Sequence, residues 1–300
     1  GCAKLLADRG YKFSVLTGPV CKQMLAGADF LEQVYLYQPR MPLNALRAAG
    51  FDAVVDFDDV KTYERFKLLA DLQPGCVIGF NKQEYKLYDH SIPFLDSSSH
   101  ISARYKAVAR LFGIEHPHYH YHLPGDAFER ERVKTLLAEQ QGSVLCIAIN
   151  PFTASTDKDF CRHQVSALIE RLYTLPYKIS VVMVGHSEKI RQLNLETALH
   201  LPDSNINSAV EIVRHCDLVI TADTAIVHIA RAFDKPMVAV YNKRKLKDTG
   251  LPGYTIWAPG YDKARQIVCE ETNVADMTID AVWPVIKAQA DALIAARQQA

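Results

Sequence analysis

Cys216-Asp-Leu-Val-Ile-Thr-Ala-Asp-Thr-Ala-Ile-Val-His-Ile-Ala-Arg-Ala-Phe-Asp-Lys-Pro-Met-Val-Ala-Val-Tyr241 is the stretch on which the fold turns. The apolar run 218–221 has strand length. Asp223 and Thr224 are residues that cap helices, and 224–233 repeats its apolar positions at helical spacing. Pro236 ends that helix, and the apolar 237–241 starts another strand. Strand, helix and strand in this order form a βαβ unit, whose right-handed crossover predicts a parallel sheet. The helix start then lies at a strand's carboxyl end, where free backbone N–H groups attract an anion by about 0.3–1 kcal/mol per charge. His228, four residues after Thr224, shares its helix face. A plain cap at Asp223 and a partly buried core histidine at 228 would leave the same pattern, so this stretch alone leaves the chemistry open.

Outward from it the same grammar repeats. After Gly142-Ser143, strand-like 144–149 and 179–184 alternate with helical 162–173, 189–200 and 208–214. Towards the N-terminus, strand-like 13–16, 33–37, 53–57 and 76–80 alternate with helical 20–27, 41–49 and 63–72. A less regular stretch, 81–99, and a helix over 101–112 follow. Pro124-Gly125 marks the turn between the series, so the expected domains are 1–123 and 124–300. The expected fold is α/β, with two doubly wound Rossmann-like domains facing a central cleft at their strands' carboxyl ends. The last helix, 279–297, contains Pro284, which should kink or restart it, and it is expected to reach back towards the N-terminal half.

The composition fits this architecture and excludes others. The 300 residues are 49% hydrophobic and 23% charged, which rules out a disordered chain. With 34 basic and 34 acidic residues, the chain lacks the field of a general nucleic-acid binder or a polybasic anchor. No apolar run approaches the roughly 18 residues that span a bilayer, and no signal-peptide pattern opens the chain, so a cytoplasmic location is expected. The seven cysteines are odd in number and contain no Cys-x-x-Cys pair, arguing for reduced thiols. The chain opens on Gly1 with a helical segment, 2–9, whereas an α/β domain usually begins with a strand. A strand and its loop are therefore expected ahead of it.

Two further loops follow strands as the first does. Asn150-Pro-Phe-Thr-Ala-Ser-Thr-Asp-Lys-Asp-Phe160 offers hydroxyls at Thr153, Ser155 and Thr156 and an ammonium at Lys158, a set suited to a diphosphate. Val184-Gly-His-Ser-Glu188 places Glu188 where a carboxylate accepts hydrogen bonds from vicinal ribose hydroxyls. Solvated loops share this composition, so the weight rests on three such loops at three successive strand ends. His116, His118, His120 and His122 alternate with period two, which puts them on one face of a strand. Adjacent residues on one face rarely surround a single ion, and no metal is expected.

These motifs together resemble the bacterial heptosyltransferases of lipopolysaccharide core assembly, glycosyltransferase family 9, whose fold is the two-domain GT-B type. The resemblance is carried by Asp217-Leu-Val-Ile-Thr-Ala-Asp-Thr-Ala-Ile-Val-His228 with Lys235-Pro-Met-Val-Ala-Val-Tyr241. Asn150-Pro-Phe-Thr153, Lys158-Asp-Phe160, Gly185 to Glu188, Phe51-Asp-Ala-Val-Val-Asp56 and Val77-Ile-Gly-Phe80 support it. It implies inverting transfer of a heptose-type sugar from an ADP-sugar to an anionic lipopolysaccharide core acceptor at the inner membrane surface, with no tightly bound cofactor. The implied donor contacts are Thr153, Ala154, Lys158, Glu188, Asp223, Thr224, Ala225 and His228, with Lys158 stabilising the leaving diphosphate. For the acceptor, Lys61, Arg65, Lys82 and Arg104, together with Lys86 and Lys106, offer cations near predicted strand ends or in the irregular stretch.

The chain departs from the family's pattern in three places. Ala225 stands where the family usually has Gly after the Asp-Thr pair. Asn242-Lys-Arg-Lys-Leu-Lys247 replaces a glycine-containing turn, either as a solvated loop or as an extra anion contact. The family's proposed base, an Asp after the first N-terminal strand, belongs to the segment expected ahead of Gly1, so no base is named. A catalytically silent nucleotide-sugar-binding protein and another GT-B-like nucleotide-sugar enzyme, such as an epimerase, are the alternatives.

Overall fold

The computed structural model describes residues 1–94, 99–115, 118–140, 142–195, 197–246 and 250–299. The N-terminal half runs α1 (Cys2–Ala7), β1 (Ser14–Thr17), α2 (Pro19–Met24), β2 (Gln33–Leu36), α3 (Asn44–Ala48), β3 (Val54–Val55), α4 (Tyr63–Leu72), β4 (Val77–Phe80), β5 (His90–Ile92) and α5 (Ser102–Leu111). The C-terminal half continues with α6 (Ala127–Ala138), β6 (Leu145–Asn150), α7 (Arg162–Tyr173), β7 (Ile179–Met183), α8 (Ser187–Leu193), α9 (Ile206–His215), β8 (Leu218–Ala222), α10 (Ala225–Ala232), β9 (Met237–Tyr241), α11 (Gly253–Ile256), β10 (Ala264–Val268) and α12 (Ile279–Gln298).

In the C-terminal half five strands form one parallel sheet in the order β10-β9-β8-β6-β7. The chain starts at β6, moves to one side for β7, then returns past β6 to β8 and continues outward. The strand order reverses between β6 and β8, and that crevice is where doubly wound sheets take ligands. Both sheet faces are covered. Leu145, Ile147, Ile149, Ile220, Val238 and Val240 face a layer that includes α7 and α12. Ala148, Val182, Val219, Met237 and Ala239 face α9 and α10. Burial on both faces explains why these strands are continuously apolar.

Two expectations change here. The last helix runs through Pro284 without restarting and buries Val282, Ile286 and Ala290 on the C-terminal sheet, in place of an excursion to the N-terminal half. Pro284 lies in its second turn, so one backbone bond is forgone while apolar packing on either side holds the helix. β10 and α11 were not apparent in the sequence. β10 is an edge strand whose Arg265 and Gln266 are exposed, which dilutes its apolar signal.

In the N-terminal half the described strands form two parallel groups, β1-β2 and β3-β4-β5. β3 spans only two residues, cut short where Asp56 begins a polar loop. β5 emerges from the stretch read as irregular; three residues are too few to show a period. Around β4, Phe80, Phe94, Val108 and Ile114 form the local core. The halves touch directly: Ile101 N donates to Ile256 O at 2.9 Å, and His100 Nε2 lies 2.8 Å from Ala258 O.

Candidate functional site

Three loops meet at the switch point, and a buried amide organises them. Asn150, the last residue of β6, is 4% exposed. Its Nδ2 donates to Val184 O at the end of β7 (2.9 Å). Its Oδ1 accepts from Thr221 Oγ1 on β8 (3.1 Å) and from Thr224 Oγ1 (3.0 Å). One side chain thus ties the ends of β6, β7 and β8. Sequence reasoning had not singled it out, although a polar residue closing an otherwise apolar strand was the available signal.

Thr224 caps α10, its Oγ1 accepting from Ile226 N at 3.1 Å. Asp223, just before it, accepts from Lys158 Nζ at 2.6 Å. Lys158 rides on a short 3-10 turn, Thr156–Lys158, in the loop after β6. That loop is internally bonded: Thr153 N donates to Asp159 Oδ1 (2.6 Å), Thr153 Oγ1 donates to Ser155 O (2.6 Å), and Ser155 Oγ donates to Asp157. Burial opposes the charge of Asp157, but hydrogen bonds from Ser155 and Asn242 outweigh it and hold the carboxyl below its usual range. Ala154 and Ala225 are exposed, as is Glu188 on the first turn of α8.

Asp223, Thr224 and Lys158 are therefore brought together, and Thr153 belongs to the loop that presents Lys158. His228 sits one turn further along α10. Its ring packs beside His100, Tyr121 and Trp257, at centroid distances of 6.5, 5.6 and 5.7 Å. Burial, reinforced by His100 and Arg231, pulls its pKa down to about 4, which keeps the ring neutral. Its Nδ1 is buried without a hydrogen-bond partner. Arg231, from the same helix, lies over the Tyr121 ring and donates to Pro259 O at 3.1 Å. This histidine belongs to the seam between the halves.

The four acceptor candidates divide. Lys82 is wholly buried, with Nζ 2.5 Å from Asp56 Oδ2 and 2.6 Å from Asp58 O. Arg104, also buried, donates to Asp59 Oδ2 (2.7 Å) and Phe57 O (3.0 Å). Both cations are turned inward onto the acidic loop after β3. Arg65 spans Asp56 (3.3 Å) and Asp58 (3.1 Å) with its side chain 35% exposed, and Lys61 reaches Glu84 (2.8 Å) at the surface. Lys86 is exposed and Lys106 half-buried.

Of the basic run after β9, Asn242 is buried, Arg244 pairs with Asp157 at 3.2 Å and Lys243 with Glu270; Lys247 lies outside the described residues. His118, His120 and His122 are exposed, and it is Tyr119 and Tyr121 that face inward, the first stacked on Tyr105 and the second packed at a tilt beside His228; His116 lies outside the described residues. Among the described residues no group of His, Cys, Asp or Glu is placed to hold a metal ion, and no helix is long and apolar enough to cross a membrane.

Comparisons agree with this architecture. The model of glycosyltransferase family 9 (heptosyltransferase) matches residues 43–279. The putative lipopolysaccharide heptosyltransferase 4 of Escherichia coli (strain K12) is 25% identical over 250 residues, 81% of this chain and 67% of that protein. E. coli ADP-heptose lps heptosyltransferase II superposes with a TM-score of 0.76 at 16% identity, covering 99% of this chain and 95% of that one. A family 9 glycosyl transferase from Veillonella parvula DSM 2008 gives 0.76 at 13%, covering 96% and 92%. E. coli heptosyltransferase WaaC, solved with ADP, gives 0.68 at 16%, covering 97% and 94%. The shared fold is the GT-B type.

Proposed function

The chain belongs to glycosyltransferase family 9, the heptosyltransferases, and from that premise we propose that it transfers a heptose-type sugar from ADP-heptose to a lipopolysaccharide core acceptor, with inversion at the anomeric carbon. The observation that carries this reading is the convergence of Lys158, Asp223 and Thr224 on the β6/β8 switch point, where a doubly wound sheet takes a nucleotide. Relatives solved with ADP and with ADP-2-deoxy-2-fluoro heptose support the choice of donor.

In the proposed reaction an acceptor hydroxyl oxygen attacks the anomeric carbon, the bond from that carbon to the diphosphate oxygen breaks, and ADP departs. A carboxylate takes the hydroxyl proton. Lys158 and the positive end of α10 offset the charge growing on the leaving diphosphate, with Thr153, Ala154 and Ala225 lining its path. Asp223 holds the Lys158 ammonium at the switch point and contacts the donor beside it. Glu188 accepts from the ribose hydroxyls, and neutral His228 holds the donor side of the seam. Lys61 and Arg65 keep exposed donors for an anionic acceptor, while Lys82 and Arg104 brace the acidic 56–59 loop that precedes them. A cytoplasmic enzyme that meets its glycolipid acceptor at the inner membrane surface fits this chemistry.

Titration with ADP, UDP and GDP tests the donor. Preference for ADP is expected, and equal affinity for the three removes the ADP-heptose reading. Transfer from ADP-heptose to a core acceptor, with the product's anomeric configuration read by NMR, tests the rest.

A further inference from the structure

Asn242 directly follows β9 and is 3% exposed, yet its amide is fully engaged. Nδ2 lies within donating distance of three oxygens: Asp157 Oδ2 at 3.0 Å, Asp157 O at 3.3 Å and Thr272 O at 3.3 Å. Oδ1 accepts from Arg244 N at 3.2 Å. Thr272 lies in the loop after β10, and Asp157 is the residue immediately before Lys158 in the 3-10 turn after β6. The loops following β6, β9 and β10 are therefore joined through one buried side chain. Arg244 adds a second tie, with Nη1 3.2 Å from the same Asp157 oxygen, Oδ2. The turn that carries Lys158 also packs on a neighbouring short turn, Val274–Asp276.

We infer that Asn242 is a positioning residue: by clamping Asp157 it holds the backbone of the 156–158 turn so that the Lys158 ammonium reaches the β6/β8 switch point. The physical argument concerns entropy and geometry. Lysine carries a flexible four-carbon stem, and its charge is useful to a diphosphate only if its backbone anchor is fixed. The turn is short and half-exposed and buries little apolar surface of its own, so its rigidity comes from polar ties. The tie to Asn242 is buried on the asparagine side and largely shielded on the other, where a hydrogen bond to a carboxylate is worth more than at the surface and is costly to lose. Asn242 acts at a distance through Asp157 and touches no reacting atom. That Lys158 serves a nucleotide rests on the function proposed above; that Asn242 fixes the turn does not.

Two measurements on the full chain separate these points. Hydrogen–deuterium exchange of a peptide covering 151–160 reads the turn without any ligand. Asn242→Ala should accelerate exchange there about tenfold, the scale of one lost buried hydrogen bond to a charged group, and leave α7 protected. Asn242→Ala should also weaken ADP binding about tenfold in the wild-type background but less than about twofold when Lys158 is already alanine, because the two act through one group. Asp157→Asn, which keeps an acceptor for the Asn242 amide, should retain most of the protection. Unchanged exchange in Asn242→Ala overturns the inference, as does a full additive loss of ADP affinity on top of Lys158→Ala. Should the wild-type chain bind no ADP, the nucleotide reading fails, and the exchange measurement still decides whether Asn242 fixes the turn.

Discussion

Lys158 Nζ and Asp223 Oδ2 stand 2.6 Å apart although 65 residues separate them in the chain, and their contact closes the crevice between β6 and β8. Each belongs to a loop that the sheet delivers to the same edge: β6 and β8 are parallel neighbours, with Asn150 opposite Thr221.

Lys158→Ala should therefore weaken ADP about 10- to 100-fold, the range for a hydrogen bond to a charged group, with little change in folding stability because the pair is partly solvated. Isothermal titration against a thermal melt separates the effects. Asp223→Ala should also weaken binding without unfolding the chain. Unchanged affinity in both variants would show that the nucleotide binds elsewhere.

Asn150→Ala should cost about 1–3 kcal/mol in urea unfolding, since it strips Thr221, Thr224 and Val184 of a shared buried partner. The loss should extend to ADP affinity, because Thr224 caps the helix start that is proposed to face the diphosphate. Thr224→Val, which removes the cap and one of the two hydroxyls that Asn150 Oδ1 accepts from, should cost less, about 0.5–2 kcal/mol.

Lys82→Met should destabilise the chain by about 3–5 kcal/mol, because it leaves the carboxylate of Asp56 buried with Tyr88 and Arg65 as its remaining side-chain partners. Removing the carboxylate as well, in Asp56→Leu/Lys82→Met, should recover a large part of that loss. Denaturant midpoints of the single and double variants measure it. A near-neutral Lys82→Met would mean that Lys82 is less firmly committed to this loop than the geometry indicates.

His228 makes stability depend on pH. Its pKa in the folded chain, about 4, lies below the ordinary 6.5, so the unfolded chain binds the proton more readily. Its contribution is complete above about pH 6.5 and is lost as pH falls towards 4, by at most about 3 kcal/mol. His228→Gln should flatten the difference in urea midpoint between pH 7 and pH 4.5. An identical pH profile in the variant would place the titration on another group.

Much of this was legible from residues 216–241 alone, where the apolar runs, the Asp223-Thr224 cap and Pro236 determined a strand, a helix and a strand in parallel order. Patterns repeating over five or more residues, as in β9, α4 and α7, were readable because burial imposes a period on the sequence. The residues proposed to meet the diphosphate were legible for a related reason: hydroxyls, a cation and cap residues at strand ends have few other uses in combination.

What only the tertiary structure decided is which polar residues face one another. Lys61, Arg65, Lys82 and Arg104 look alike in sequence, yet Lys82 and Arg104 are turned inward to neutralise Asp56 and Asp59. His228 carries its helical position in the sequence, whereas Tyr121, His100 and Trp257, which determine its protonation, come from distant segments. Asn150 and Asn242 are single polar letters at strand ends, and their partners in other strands and loops lie 30 to 85 residues away. Sequence determines what periodic burial enforces locally; the pairing of charges and amides depends on distances that exist only after the sheet has brought its strand ends together.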